Sequence, residues 1–416
     1  MGALLIIAAL AQAATSGGAT ASTSTDSTAP KINTGETNYL DLEAGAGYSS
    51  NPNLSVVNDQ GSVFGRVSLH GVHSRVSARS TTLLSAYAEN VSYANHYGSQ
   101  QSVNVYGRHD AAVSEHARLF IDGSASYQEG GQLDTVVLGL PITPPTIPGG
   151  TVTPPILLPP GGDFLSVTGR TYSFAGHGGG TFTLGPRDSV SLSSGVERVV
   201  FHSGASRTNY TRIPASIAYD RQLSARTTIG ARVSAEDTEY NGPASLRVIT
   251  PQVTARTLLS PSVTLDGALG VSFARVNDGI AIRHSTGLSA QANLCGHGET
   301  SFFCAHFSAD EQTATTAGPA RSIGGGIDYT KRLDADQTIS FSLGVTHYST
   351  PISVLVGRTF SSATYYRAAA SYSHRFGTRL FGGVNLAARK LTQNGPDPKT
   401  DLNASLFLRY RFGNAQ

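Results

Sequence analysis

The chain is predicted to be all-β: a transmembrane, antiparallel, up-and-down β-barrel of about eighteen strands, with sixteen as the other count its spacing allows. Three observations lead there. Only 14% of the 416 residues are charged, against about a quarter in a soluble protein. Yet beyond the N-terminus no run approaches the roughly eighteen apolar residues that a membrane helix needs. Segment after segment alternates apolar and polar residues with a period of two, which makes a ribbon with one greasy and one wet face. Finally, short and long connections alternate along the chain, as a barrel with two unlike ends requires.

Composition bounds the reading further. The chain is 39% hydrophobic, with 46 glycines, one Met and no Trp, and its mean hydropathy is slightly negative. Alternating strands produce that value because the two faces average out in any window. A net charge of +2 supplies no basic footprint for nucleic acid, so no such partner is expected.

At the N-terminus, Ala3 to Leu10 form a short apolar core and Ala11-Gln12-Ala13 an A-x-A cleavage pattern. Residues 1–13 therefore read as a signal peptide, although the usual basic n-region is missing. Residues 14–37 are rich in Ser, Thr, Gly and Ala and read as a flexible periplasmic leader. The barrel is expected over 38–412.

Strand patterns begin at Tyr39, with Leu40, Leu42, Ala44, Ala46 and Tyr48 on one phase and Asp41, Glu43, Gly45 and Gly47 on the other. The cleanest later case sets Ile339, Phe341, Leu343 and Val345 against Ser340, Ser342, Gly344 and Thr346. Short turns are expected at His73-Ser74-Arg75, Ser114-Glu115-His116, Gly185 to Asp188, Gln222 to Ala225, Leu259-Ser260-Pro261, Cys295 to Cys304, Leu333 to Asp336 and Phe376-Gly377-Thr378. From the third onward they lie roughly 36 to 43 residues apart, the length of two membrane-crossing strands plus a loop. Two of them share a local grammar, Tyr219-Asp220-Arg221-Gln222-Leu223 and Tyr329-Thr330-Lys331-Arg332-Leu333.

The third long connection, 129–163, is unlike the others. Pro144, Pro145, Pro154, Pro155, Pro159 and Pro160 are interleaved with Ile142, Ile147, Val152, Ile156, Leu157 and Leu158. The prolines hold it extended and out of a ladder, while its apolar side chains call for a surface to pack on. A constriction in the lumen, a partner-docking loop and a plain insertion are the three readings. Cys295 and Cys304 are the chain's two cysteines. So close together in an exported protein, they read as a local disulfide; a metal site with His297 lacks a fourth ligand.

The last strand carries a resemblance. Leu402, Ala404, Leu406, Leu408, Tyr410 and Phe412 share one phase, against Asn403, Ser405, Arg409 and Arg411, with Phe407 the exception. This finish, Tyr410-Arg411-Phe412, resembles the C-terminal assembly signal of bacterial outer-membrane β-barrels. It implies Tyr410 and Phe412 as the contact for barrel-insertion machinery and the outer membrane of a Gram-negative cell as the location, with its lipid around the wall. Gly47-Tyr48-Ser49-Ser50-Asn51-Pro52 resembles the G-Y-x-S-N-P segment of the "beta-barrel porin 2" type of outer-membrane barrel. That family usually has Asp where Ser49 stands. The resemblance implies export of a secreted polysaccharide, with a periplasmic polysaccharide-export protein as partner.

For chemistry the sequence offers little. No G-x-S-x-G elbow, H-E-x-x-H or paired-carboxylate signature appears, so no enzyme activity, catalytic residue, cofactor or metal site is expected. His70, His73, His297 and His306 read as solvated residues, and Gly176-His177-Gly178-Gly179-Gly180 as a close-packed patch within a strand. The wet phase is more informative. It places Asp41, Glu43, Asp122, Glu236 and Asp266 beside Arg232, Arg389, Arg409 and Arg411 as lumen-lining candidates amid Ser, Thr, Asn and Gly. Mixed charge diluted by hydroxyls suits a hydrated, weakly selective passage; the same residues could instead do no more than pair with one another. A polysaccharide conduit is the first functional expectation, a general diffusion porin for small polar solutes the second, and a surface adhesin or structural barrel the third.

Overall fold

A ribbon with one apolar and one polar face can bury the apolar face in lipid only if every backbone N–H and C=O is paired within the wall. The computed structural model approaches that condition by closing the sheet, with one ladder interrupted. It describes residues 35–52, 54, 60–95, 97–129, 170–202, 209–277, 279, 281–314, 318–349, 362–393 and 399–414. The predicted signal peptide, the leader before Gly35, and the proline-rich loop with its six singled-out prolines lie outside the described residues.

Eighteen strands follow one another in chain order. They are β1 (Gly35–Ser49), β2 (Ser62–Val76), β3 (Ser80–Tyr93), β4 (Ser99–Ala112), β5 (Ala117–Glu129) and β6 (Arg170–Thr183). Next come β7 (Asp188–His202), β8 (Tyr210–Gln222), β9 (Thr227–Tyr240), β10 (Ser245–Ser260), β11 (Val263–Asn277) and β12 (Ile282–His297). The last six are β13 (Ser301–Ala314), β14 (Gly318–Arg332), β15 (Gln337–Ser349), β16 (Ser362–Arg375), β17 (Leu380–Gln393) and β18 (Lys399–Asn414). Each pairs antiparallel with its neighbours, and β1 pairs with β18 from Asn38 opposite Asn414 to Ser49 opposite Asn403. The sheet is therefore a closed antiparallel up-and-down barrel of eighteen strands, and the sixteen-strand count is set aside.

The wall has the two faces that the alternation demands. Ile121, Val253, Leu269, Leu402 and Leu406 are all more than half exposed on its outer side. Their chain neighbours Asp122, Gln252, Asp401 and Asn403 are buried on the inner side. Apolar exposure on this scale, around a complete wall, suits a lipid environment.

Short turns gather at one end of the barrel and the other connections at the opposite end, here called the turn end and the loop end. Five turns share one geometry. The N–H of Val113, Leu184, Leu223, Leu333 and Phe376 donates to the carbonyl four residues on, at 2.9 Å in each case. All five side chains are more than half exposed on the outward phase, so the apolar face runs down into the turns. This is the structural content of the shared Tyr-x-x-x-Leu grammar.

Three details differ from the expectation. The first turn is at 77–79, after β2 has continued through His73-Ser74-Arg75: Ser77 Oγ takes the Ser80 N–H at 2.9 Å and makes the turn there, while His73 stays in the ladder and meets Asn38 Oδ1 at 2.6 Å. Several loop-end connections are as short as the turns, notably 241–244 between β9 and β10. And β1 begins at Gly35, inside the predicted leader, because Gly35 to Thr37 pair with Val76 to Ser74.

The wall also has one irregular seam. The β12–β13 ladder stops at Ala290 opposite Ala309, although both strands continue toward the loop end. Side chains take over there: Ser289 Oγ and Gln291 Nε2 donate to Asp310, and Ser285 Oγ donates to Glu311 Oε1 at 3.0 Å. Near the turn end of the same seam, Cys295 and Cys304 face each other across the ladder and are joined in a disulfide.

Candidate functional site

The inner wall is where the fold concentrates its charge. An inward carboxylate or guanidinium that is partly removed from water needs a partner, and for the groups described next the antiparallel register supplies one on a neighbouring strand. Across the closing seam, Arg411 of β18 grips Asp41 of β1 with both nitrogens, Nε to Oδ1 at 2.7 Å and Nη2 to Oδ2 at 2.6 Å. Arg409 lies 3.6 Å from Glu43. Glu43 in turn faces Arg66 of β2 at 3.3 Å, and Arg66 faces Glu89 of β3 at 2.7 Å.

A second chain of charge continues round the wall. Arg108 of β4 stacks over the Phe120 ring and lies 3.7 Å from Asp122 of β5. His177 Nδ1 is 3.0 Å from Asp122, and its Nε2 is 3.7 Å from Glu197 of β7. Arg212 of β8 then joins Glu197 at 2.9 Å to Glu236 of β9 at 3.3 Å. Further on, Arg232 donates to Gln252 Oε1 at 2.9 Å, and Gln252 Nε2 donates to Ser289 Oγ at 2.7 Å. Gln252 reaches β12 across β11 because Gly270 stands between them; a Cβ there would lie 2.8 Å from Gln252 itself.

All nine lumen-lining candidates lie on the inward phase of their strands. Asp41, Glu43, Arg409 and Arg411 form one cluster. Asp122 and Glu236 belong to the second chain, Arg232 to the glutamine bridge, and Asp266 pairs with Arg256 at 3.3 Å. Sequence reading missed the residues that link them: Arg66, Glu89, Glu197, Arg212 and His177. The first four stand on the wet phase and were legible by the same alternation. His177 was hidden by its glycines, which are packing positions: a Cβ at Gly179 would meet the Phe120 ring at 2.7 Å. His306, read as solvated, is mostly buried and sits 3.6 Å from Asp328.

Phe407, the exception in the last strand, faces inward and is buried. It fills the space left by Gly383 opposite it on β17, where a Cβ would approach its ring at 2.8 Å. Tyr410 and Phe412 point outward near the turn end, with ring centroids 4.8 Å apart.

Arg389 stands apart from the ring of charge. It lies near the loop end of β17 and is paired with Asp401 of β18, Nε to Oδ2 at 3.0 Å and Nη2 to Oδ2 at 2.5 Å. Asp401 is wholly buried. Its other oxygen accepts from Ser49 Oγ at 2.6 Å and from the Asn51 N–H at 2.9 Å. A buried ion pair offsets its desolvation only when its remaining valences are filled, and here the Gly47–Pro52 segment fills them. Gly47 itself admits no side chain, since a Cβ would sit 2.4 Å from the Ala404 carbonyl and 2.6 Å from the Phe64 ring.

The loop-end mouth is less polar than the alternation implies. Tyr210, Tyr240, Leu246, Val248, Ala274 and Val276 form a buried inward cluster on β8 to β11. A second such cluster, Tyr348, Tyr365 and Leu391, lies on β15 to β17. Among the described residues no group of three or more His, Cys, Asp or Glu could hold a metal ion.

No protein-family model matches the chain, and no curated protein matches it. Among solved structures it is similar to the FrpB iron transporter from Neisseria meningitidis (F5-1 variant), at 9% identity and a TM-score of 0.44 over 90% of this chain and 82% of that one. It is likewise similar to OccK2 (OpdF) of Pseudomonas aeruginosa, at 8% identity and 0.43 over 90% and 97%. A third is the ferric-catecholate import receptor Fiu from E. coli K12, at 8% and 0.40 over 90% and 81%. Likeness this remote carries no functional argument. The class rests on the chain's own geometry: an even number of antiparallel strands, closure, an apolar outer face and a polar inner one define an outer-membrane-type β-barrel.

Proposed function

We propose that the protein is a passive outer-membrane conduit for a polar solute of little net charge, and that this solute is a secreted polysaccharide. The observation that carries the reading is the self-neutralised inner wall, in which Asp41, Glu43, Asp122, Glu197 and Glu236 are each matched by a neighbouring base. A lumen in which these charges are spent on one another offers hydration and hydrogen bonds with a weakened field, which favours neutral sugars over ions. The resemblance of Gly47–Pro52 to the exopolysaccharide-associated barrels supports a polymer over small solutes and a periplasmic export protein as the partner at the turn end. General diffusion of small polar solutes is the second reading, because the same balanced wall serves it.

Two measurements separate the outcomes. Purified barrel in planar bilayers under a salt gradient should give a reversal potential near zero, and strong cation or anion selectivity would sink the neutral-passage reading. Deleting the gene from its own host should abolish polymer at the cell surface while leaving uptake of small sugars intact. The converse pattern would favour the porin.

A further inference from the structure

The lapse in the β12–β13 ladder is more than a missing row of hydrogen bonds. On β13, Phe303 and Phe307 are exposed on the lipid-facing phase, and Ala309 continues that phase, opposite Ala290 on β12 and the exposed Ile323 on β14. Ala309 is nevertheless only 2% exposed, whereas Ala44, Ala46, Ala231, Ala235 and Ala255, on the lipid-facing phase of other strands, are all exposed. Something covers Ala309 from outside, and β12 is the neighbour whose ladder has just ended. Glu311, next on the same phase and opposite Arg321, shows the same displacement. Its Oε1 accepts from Ser285 Oγ at 3.0 Å, and its carboxyl lies 3.0 Å from where a Cβ would stand on Gly287. Ser285 and Gly287 share the lumen-facing phase of β12 with the buried Ser289, since Ile282 and Leu288 are exposed on the other. A side chain of the outward phase of β13 therefore lies on the inner face of β12.

Beyond Ala290 and Ala309 the wall is thus lapped, with β13 stepping inward behind β12. Each strand keeps its other neighbour: β12 pairs with β11 as far as Ile282, and β13 with β14 as far as Ala314. Toward the turn end the disulfide of Cys295 and Cys304 ties the two strands together, so the lap can part without unzipping the rest of the seam. Side chains close it, Ser285 to Glu311, and Ser289 and Gln291 to Asp310. Backbone groups that a ladder leaves unpaired in a membrane call for water or a polar ligand. Glu311 Oε2 is likewise buried with no hydrogen-bond partner among the described residues.

We propose that the lapped β12–β13 seam is a lateral port between the lumen and the leaflet at the loop end, and that what passes through it is a glycolipid, an acyl-chain amphiphile with a neutral sugar head. The chemistry of the two sides selects that class. Within the lap stand Ser285, Ser289, Gln291, Asp310 and Glu311, whose hydroxyls, amide and carboxylates accept from sugar hydroxyls, while the two acids repel phosphate. The bases nearby are engaged: Arg232 donates to Gln252 at 2.9 Å and to Gln291 at 3.4 Å, and Arg321 faces Glu311. Directly outside, Leu288, Phe307 and Ile323 are exposed and offer acyl chains an apolar surface. The proposal rests on the conduit reading and adds that a lipid-anchored polymer leaves the barrel sideways, its acyl chains never crossing water.

The lap is tested first. In vesicles, Ala309→Cys should react about tenfold more slowly than Phe307→Cys with an apolar maleimide dissolved in the bilayer; equal rates would mean an ordinary ladder and overturn the lap. The port is tested with a diacylglycerol glucoside carrying a diazirine on its sugar. Irradiation should mark Ser285, Ser289 or Gln291 on the lumen-facing phase, and Ser289→Cys with Asp310→Cys, oxidised across the lap, should abolish that label. Equal labelling of the cross-linked barrel would overturn the port. Should the cysteine pair fail to assemble, Asp310→Ala with Glu311→Ala, which removes the side-chain closure, should raise the label several-fold, and no rise would overturn the port equally. The same glucoside without acyl chains separates the two readings. If it marks these residues and the lipid does not, the conduit stands and the port falls; if neither does, sugars do not enter the lumen and both fall.

Discussion

Arg212 is the residue on which the charge balance of one sector depends. It lies between Glu197 and Glu236, 2.9 and 3.3 Å away, and with His177 it is what keeps the two carboxylates from acting as a cation site. Arg212→Met keeps much of the packing of the aliphatic stem and removes the base that lies between the two carboxylates. The expected result is a shift toward cation selectivity, read as a displaced reversal potential in planar bilayers, whereas Arg212→Lys should shift it little. Phe407 tests packing in place of charge. Phe407→Ala should cost about 3 to 5 kcal/mol, the usual range for emptying a buried aromatic site, read from urea unfolding of the refolded barrel in vesicles. A loss below 1 kcal/mol would mean that the ring does not fill the Gly383 gap. The phase of each charged residue was legible in the sequence, since a period of two leaves no choice of face. Partners were not: Ser49 and Asp401 are 352 positions apart, and nothing local brings them together. The reasons for His177 and Phe407 were illegible on the same ground, because each is explained by a glycine or a carboxylate on another strand.

At the scale of elements, the strands were the most legible part and their ends the least. Alternation identifies a strand but does not say where it stops; the Ser77–Ser80 contact and the ladder of His73 decided that at the first turn. Likewise, the inward turn of the chain at Asn51 has no signature in periodicity, and only the partners of Asp401 reveal it. The two ends of the barrel make a direct prediction. An epitope inserted at Asn241, between β9 and β10, should be labelled on intact cells, and one at Ser224, between β8 and β9, should be labelled only after the outer membrane is opened. Equal labelling would contradict the orientation in which the turn end faces the periplasm. The last strand makes another. Phe412→Ala removes an outward ring that contacts Tyr410 at the turn end and should sharply reduce the heat-modifiable form recovered from membranes; normal recovery would show that the terminal aromatic is dispensable for insertion.

For the whole molecule, closure is the step that matters. Seventeen of the strand pairings join neighbours in sequence, and the pairing of β1 with β18 joins the two ends of the chain. The buried clamp of Asp401 and the Arg411–Asp41 grip both lie on that seam, so charged side-chain contacts reinforce the pairing with the highest entropic cost of closure. This much was not legible from composition or spacing, which bound the strand number and leave the closing contacts open.

Since the strand number is even, Asn38 and Asn414 stand opposite each other at the turn end. That adjacency makes the β1–β18 seam a hairpin that lacks only its link. A circular permutant that joins the ends with a few Gly and Ser residues and opens the chain between β9 and β10, at 241–244, would convert the seam into an ordinary local pairing. Its termini would then emerge at the loop end. Such a permutant should reach the same heat-modifiable barrel in vesicles. If it does so faster than the parent, zipping of the two ends limits folding of the natural order; if it never does, the order of strand synthesis is itself required information.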